Sequence, residues 1–165
     1  MAKRVFYSFH YKPDCWRASQ VRQIGAIEGN VPASDNDWES ITKGGDAAIK
    51  KWIDGQLDGR SCAVILVGST TANRKWINYE IVKAWDDNKG VVGVCIHNLK
   101  DSSERQSVKG QNPFDYITMG GTTKKLSSVV KLYDPHFFDS KLVYDHIKKN
   151  LVAWIDEAVK IRKDN

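Results

Sequence analysis

The sequence lacks long hydrophobic runs and has few cysteines, and each shortage excludes a class of protein. No apolar stretch approaches the roughly 18 residues that span a bilayer. The first residues also lack the longer apolar region and the small-residue cleavage site of a signal peptide. The three cysteines, Cys15, Cys62 and Cys95, are odd in number and far apart, which predicts reduced thiols in a cytoplasmic protein that makes no membrane contact.

Charge and short motifs exclude further classes. Basic residues outnumber acidic ones by only 25 to 20, and no Lys or Arg block exceeds two residues, so no nucleic-acid partner is predicted. CxxC, HExxH, GxGxxG and Walker A patterns are all absent, and the four histidines are scattered along the chain. The sequence therefore predicts neither a metal site nor a P-loop nucleotide site.

What the sequence does have is an ordinary globular composition with strands and helices in alternation. Its 165 residues are 41% hydrophobic and fit one domain, residues 1–165. Apolar runs predict strands, and apolar residues at helical spacing predict helices. The predicted strands are 5–9, 62–67, 91–96 and 129–133, and the predicted helices are 15–28, 46–58, 73–87 and 140–163. Residues 29–39 and 98–125 are polar and rich in turn residues, which predicts a surface loop and a long loop-rich insertion.

This alternation predicts an α/β fold, in which helices cover both faces of a mostly parallel sheet. The run Cys62–Val67 is apolar without alternation, as in a strand covered on both faces. Ligands of such sheets bind beyond the carboxyl ends of the strands. The segments to inspect are therefore Phe9–Tyr11, Gly68–Thr71 and His97–Asn98.

The densest chemical signal is a Trp and a Glu four residues apart on the helix after the strand 62–67. Trp76 and Glu80 share one face of that helix, and Glu80 lies at the border between its apolar stripe and its polar side. A carboxylate there would be partly desolvated, which disfavours its charged form. Spacing alone nevertheless favours a solvated surface acid for Glu80. For Trp76 it leaves a role in the core and a role in lining a pocket equally open.

These residues carry a resemblance to TIR domains. The opening Val5-Phe6-Tyr7-Ser8-Phe9 resembles their first strand, and the strand with Ser69, Trp76 and Glu80 after it resembles their third strand and the following helix. The resemblance implies a TIR/flavodoxin-like three-layer fold with a core at about 3–97, followed by the insertion 98–125 and a C-terminal strand and helix, 129–163.

The insertion extends the resemblance to the TIR-like proteins of the bacterial Thoeris antiphage system. Lys109-Gly110-x-Asn112-Pro113-Phe114-Asp115-Tyr116 is similar to the ThsB type of that system, as is the opening of the chain. The resemblance implies an enzyme with NAD⁺ as its substrate and no permanently bound cofactor, which releases nicotinamide and makes a cyclic ADP-ribose-type signal. The expected partners are a phage-derived trigger, an effector protein reached through the nucleotide product, and a second copy in a homo-oligomer.

The resemblance also implies the site residues. Glu80 would be the catalytic carboxylate, because the oxocarbenium-like ribose left by nicotinamide is positively charged. The expected substrate-binding residues lie in the first strand and its loop, the loop and helix after the third strand, the loop 29–45 and the insertion: Phe6, Ser8, His10, Tyr11, Trp38, Ser69, Trp76 and Asn112. Trp38 would either stack on a base or anchor its loop. The loops 29–45 and 98–125 would be either a lid that excludes water or variable surface.

Two other interpretations stay open. One is a non-catalytic TIR-like module that signals by assembly. The other is a flavodoxin-like enzyme such as a nucleoside deoxyribosyltransferase, which also places a Glu beside a nucleoside. A serine hydrolase is disfavoured, because no His and Asp accompany Ser61 or Ser69 at a recognisable spacing.

Overall fold

Five strands form one sheet in which every neighbouring pair is parallel, in the order β2-β1-β3-β4-β5. The computed structural model describes residues 3–31 and 35–165, with only the backbone given for residues 35–38. The strands are β1 (Lys3–Ser8), β2 (Ile27–Gly29), β3 (Cys62–Val67), β4 (Gly90–Cys95) and β5 (Leu132–Tyr133). The predicted α/β class and TIR/flavodoxin-like topology are confirmed.

Helices cover both faces of the sheet, as the alternating sequence predicts. They are α1 (Tyr11–Arg22), α2 (Asp35–Lys43), α3 (Gly45–Leu57), α4 (Lys75–Asp86) and α5 (Ser140–Lys163). The start of α5 is fixed by Asp139, whose carboxylate accepts hydrogen bonds from the backbone N–H groups of Lys141 and Leu142, the usual role of an acid at a helix N-terminus. In the described part of the chain, none of the helices is long and apolar enough to cross a membrane.

Alternate residues of each strand enter two separate cores, one on each face of the sheet. On one face, Tyr7 of β1 and Leu66 of β3 pack with residues of α1 and α5. On the other face, Phe6 of β1 and Ile65 of β3 pack with residues of α3, α4 and the insertion. Ser8 follows Phe6 by two residues, so it points toward the face that α4 covers.

The predicted helix 15–28 is wrong at both ends. Helix α1 begins four residues earlier and ends at Arg22, and the segment after it turns and forms the short edge strand β2. The apolar residues that suggested a longer helix, Ile24 and Ile27, are 4% and 5% exposed and are buried by the turn and by β2. In so short a segment, two apolar residues three apart fit a turn and a strand as well as a helix.

The predicted surface loop 29–39 is also wrong in part, because α2 begins within it. The helix packs against α3, and Ile41 is partly buried against the core on the α4 face. Tertiary packing therefore stabilises a helix in a segment whose polar, turn-rich start gave no helical pattern. Of the loop prediction, residues 32–34 lie outside the described residues.

The insertion 98–125 is loop-rich, as predicted, with one 3₁₀ helix at Pro113–Tyr116 and an isolated antiparallel bridge between Thr118 and Lys125. The predicted strand 129–133 is too long. Its first residues follow a second 3₁₀ helix, Leu126–Ser128, and Val130 is buried in the core. Only Leu132–Tyr133 pairs with β4.

Candidate active site

The carboxylate of Glu80 meets the end of β1. Glu80 lies on α4, the helix that follows β3, and β1 is the neighbour of β3 in the sheet. The hydroxyl of Ser8, the last residue of β1, donates a hydrogen bond to Oε2 of Glu80. Ser8 is 1% exposed and Glu80 is half-buried, so the acid does not point into bulk solvent as a solvated surface residue would.

Burial gives this carboxyl an unusual affinity for protons. Desolvation raises the pKa of Glu80 from 4.5 to about 8, and the hydrogen bond from Ser8 opposes that rise because it stabilises the charged form. Such a carboxyl is poised to change its protonation state near neutral pH. Groups of this kind, with a pKa shifted by burial and one specific partner, are concentrated at functional sites.

The pKa of Glu80 predicts an unusual pH dependence of stability. Between pH 4.5 and about 8, Glu80 is protonated in the folded chain and charged in the unfolded chain, so the folded state binds the extra proton. Its contribution to the free energy of unfolding should therefore fall as the pH rises through this range, by at most about 1.4 kcal/mol per pH unit. Urea unfolding of wild type and Glu80→Gln at a series of pH values measures that contribution as the difference between the two curves.

A second variant separates the two causes of this pKa. Ser8→Ala removes the hydrogen bond that stabilises the carboxylate, so the upper limit of the pH range should move upward. Curves for wild type and Glu80→Gln that run parallel from pH 4.5 to 8 would show that the acid has an ordinary pKa and is solvated.

The loop ends of β1 and β3 are joined beside this pair. Nδ1 of His10 lies 2.9 Å from Oγ1 of Thr70. Burial is the main cause that lowers the pKa of His10, and the positive charge of Arg74 lowers it further. The ring is therefore mostly neutral at pH 7. Thr70 follows Ser69 directly, and the hydroxyl of Thr71 accepts a hydrogen bond from the backbone N–H of Gly68 at 2.8 Å. The predicted residues His10 and Ser69 are therefore brought to the same edge.

The insertion packs against the same loop through two glycines. A Cβ atom on Gly110 would lie 2.1 Å from the carbonyl oxygen of Gly68, so only glycine allows this approach of backbone to backbone. Two residues later, Oδ1 of Asn112 accepts a hydrogen bond from the backbone N–H of Phe114 at 2.9 Å and caps the 3₁₀ helix. Asn112 therefore has a structural role here, and its binding role stays a prediction.

An open cavity of about 620 Å³ lies beside the insertion. Its lining includes Asn112, Lys109 and Tyr133. Of the residues that the structure describes, neither Glu80 nor Trp76 is among those that line it. The cavity therefore belongs to the edge formed by β5 and the insertion, and Asn112 is part of its lining.

A buried ion pair fixes the other end of the insertion. Arg17 of α1 contacts Oδ1 of Asp14 at 2.9 Å and donates to the carbonyl oxygens of Leu99 and Arg105, both at 2.8 Å. The other carboxylate oxygen of Asp14 lies under Gly68, where an added Cβ would approach it to 2.0 Å. The predicted helix 15–28 leaves Asp14 outside it, so the three-residue spacing of Asp14 and Arg17 became a signal for this pair only once α1 was seen to begin at Tyr11.

The remaining predicted residues occupy different environments. Phe6 is 2% exposed within the core, whereas the ring of Tyr11 is 53% exposed and stacks on Phe9. Trp76 is partly buried against the core, edge-on to Tyr79 at 5.9 Å between ring centres. The side chain of Trp38 lies outside the described residues. A binding role for each of these four residues stays a prediction.

Sequence reasoning missed one cluster of possible metal ligands. Cys95, His97 and Asp134 each bring one ligand atom to within 4.8 Å of the others. His97 and Asp134 are 37 positions apart in the sequence, so a search for closely spaced ligands did not connect them. The pairing of β4 with β5 brings them together.

Comparisons with known proteins show which family the chain resembles. The sequence model of the family described as "Thoeris protein ThsB, TIR-like domain" matches residues 6–101, a span that contains Ser8, Ser69, Trp76 and Glu80 and ends before Asn112. A curated protein of Bacillus cereus (strain MSX-D12), named "Putative cyclic ADP-D-ribose synthase ThsB1", is 38% identical over 122 residues. That match covers 71% of this chain and 64% of the relative, so the chain accounts for slightly less than two thirds of the relative's length.

Proposed function

The chain belongs to the ThsB family of TIR-like proteins of the Thoeris system, and from this membership we propose that it cleaves NAD⁺ and makes a cyclic ADP-ribose-type signal. The observation that carries the proposal is the half-buried carboxyl of Glu80, bonded by Ser8 at the carboxyl edge of the sheet. The name of the B. cereus relative, a cyclic ADP-D-ribose synthase, supports the class of product.

The proposed reaction breaks the bond between nicotinamide and C1 of its ribose. The bonding electrons leave with nicotinamide, which departs as a neutral molecule, and positive charge develops on the ribose. The carboxylate of Glu80 stabilises that charge, as the carboxylates of glycoside hydrolases do. With a pKa of about 8 the carboxyl is mostly neutral at pH 7, whereas the form that stabilises the ribose cation is charged. Bound NAD⁺, whose nicotinamide is cationic, favours the charged form.

Ring closure requires a nucleophile from the same molecule in place of water. An oxygen or nitrogen atom of the ADP-ribose attacks C1, and the new bond closes the ring. A ribose hydroxyl would release its proton in this step, whereas an adenine ring nitrogen would attack through its lone pair and take the positive charge onto the base, which then loses a proton from its exocyclic amine. The site must hold water away while this happens. In this proposal the insertion does so. The contact of Gly110 with the loop after β3 and the hydrogen bonds from Arg17 to residues 99 and 105 support that role.

The neighbouring side chains suit the parts of a dinucleotide. The ring of Trp76, one helical turn before Glu80, would form a wall of the nicotinamide pocket. The amide NH₂ of Asn112 and the hydroxyl of Ser69 would donate hydrogen bonds to ribose or phosphate oxygens. The product would then activate a separate effector protein, after a phage-derived trigger starts the reaction.

Mass spectrometry of infected cells tests the proposal. Small molecules are extracted from phage-infected bacteria that express the chain, and nicotinamide and the ADP-ribose isomers are quantified. We expect nicotinamide and a cyclic ADP-ribose isomer to rise together after infection, in excess of linear ADP-ribose. Equal amounts of nicotinamide and cyclic ADP-ribose isomers in infected cells with and without the chain would contradict the proposed enzymatic activity. They would favour a non-catalytic signalling module.

A further inference from the structure

Three side chains of different chemistry meet at the carboxyl ends of β4 and β5. Cys95 is the last residue of β4, His97 follows it by two residues, and Asp134 follows β5 directly. One ligand atom of each, a thiol sulfur, a ring nitrogen and a carboxylate oxygen, lies within 4.8 Å of the other two.

The sheet register explains why they meet. The pairing of β4 with β5 ends at Val94 and Tyr133, so the next positions along the two parallel strands are Cys95 and Asp134. Residues opposite each other point to the same face, and the residue two positions on, His97, also points there. The backbone carbonyl of His97 accepts a hydrogen bond from the N–H of Ser107 at 2.8 Å, which holds this extension of β4 in place.

The imidazole of His97 is the second sign of a ligand site. His97 is 7% exposed, and its Nδ1 is buried without a hydrogen-bond partner among the residues that the structure describes. A buried polar atom left unpaired lowers stability, and folded proteins rarely contain one that no ligand or water satisfies. A bound cation would be coordinated by one ring nitrogen, and the imidazole could rotate so that its other nitrogen donates a hydrogen bond.

A cation already contacts the cluster. Nζ of Lys109 lies 3.0 Å from Oδ2 of Asp134, and Lys109 lines the open cavity of about 620 Å³ at this edge. Asp134 is half-buried, with 17% of its side chain exposed. The ammonium of Lys109 therefore contacts the carboxylate from its solvent-exposed side. An ion would enter from the same side.

We propose that Cys95, His97 and Asp134 bind a divalent cation of the zinc class. Thiolate and imidazole together select zinc-like ions over magnesium or calcium, which prefer oxygen ligands. In a tetrahedral zinc site the ligand atoms lie about 3.5 Å apart. Since these atoms lie within 4.8 Å of one another, only a small approach is needed on binding. Three protein ligands leave the fourth position open, and Lys109 moves aside to the cavity.

This site is separate from the proposed catalytic carboxylate. Ser8, the partner of Glu80, is on β1, and β3 lies between β1 and β4, so the two sites are two strand spacings apart, about 10 Å. A binding measurement without substrate therefore tests the metal site alone, whatever the outcome for NAD⁺ cleavage.

Titration with Co²⁺ tests the site directly. The purified full chain is treated with a chelator, dialysed in the presence of a non-thiol reductant, and titrated with Co²⁺, which replaces zinc and is visible by absorption spectroscopy. We expect one Co²⁺ per chain, a thiolate-to-cobalt charge-transfer band, and loss of the spectrum when Zn²⁺ is added. A wild-type chain without the charge-transfer band would overturn the proposal.

Matched variants assign the ligands. Cys95→Ala should lose the charge-transfer band, whereas Cys15→Ala should keep it. Asp134→Asn, at a partly exposed position that tolerates the change, should weaken binding by more than about 100-fold, and Lys109→Met should strengthen it because the competing ammonium is gone. A band that survives in Cys95→Ala, or an affinity that neither Asp134→Asn nor Lys109→Met changes, would show that the ion binds elsewhere.

Discussion

Glu80→Gln is expected to slow nicotinamide release from NAD⁺ by about a thousandfold, the upper range for the loss of one preorganised electrostatic group. The amide has the size of the protonated acid, and its oxygen can still accept the hydrogen bond from Ser8, so the fold should survive. It cannot carry the negative charge that stabilises the ribose cation. The measurement is the rate of nicotinamide release by triggered protein, followed by chromatography.

Glu157→Gln is the matched control for this prediction. Like Glu80, Glu157 lies on a helix and accepts a hydrogen bond from a hydroxyl, that of Tyr133 at 2.5 Å. It differs in being paired with Lys131 at 2.9 Å. The hydroxyl of Tyr133 and then Lys131 hold the pKa of Glu157 below its ordinary value. Activity should persist in Glu157→Gln. Equal rates for wild type and Glu80→Gln would remove Glu80 from the mechanism.

Arg17→Met is expected to lower the free energy of unfolding by about 3–5 kcal/mol at pH 7, the cost of breaking a buried ion pair from one side. The side chains of Arg17 and Asp14 are 4% and 1% exposed, so the variant leaves a buried carboxylate without its cation. Burial already raises the pKa of Asp14, and Arg17 opposes that rise. Urea unfolding measures the loss of stability.

Two further variants isolate the cause. Adding Asp14→Asn to Arg17→Met should recover part of the lost stability, because the unpaired charge is gone. Arg105→Met changes an exposed side chain in the same loop and should have little effect. Amide hydrogen exchange should be faster at residues 99–107 in Arg17→Met alone. An Arg17→Met chain as stable as wild type would mean that the pair is solvated.

These two predictions concern different parts of one arrangement. In the proposed reaction Glu80 supplies the charge, and Arg17 holds the insertion, whose Gly110 contacts the loop after β3. A loosened insertion should therefore admit water, and Arg17→Met should shift the product ratio from cyclic toward linear ADP-ribose. In Glu80→Gln both products should fall together.

The amount of the fold that the sequence predicts differs from one segment to the next. The strand Cys62–Val67 and the helix Ser140–Lys163 have the predicted bounds, because a long apolar run and a long apolar stripe each have one interpretation. The segment 15–39 was predicted poorly, since Ile24 and Ile27 fit more than one local structure. Helix α2 packs against α3, the next helix along the chain, and the polar, turn-rich start of its segment did not indicate that packing.

The candidate site, too, has features that the sequence predicted and features that only the structure showed. The sequence by itself determined that Trp76 and Glu80 share a helical face behind a buried strand, and the resemblance it carries indicated their chemistry. Only the tertiary structure decided that the acid is half-buried against Ser8, that Arg17 holds the insertion, and that Cys95 and Asp134 lie side by side. Periodicity reports contacts within one element, whereas desolvation and strand register depend on which elements become neighbours when the chain folds.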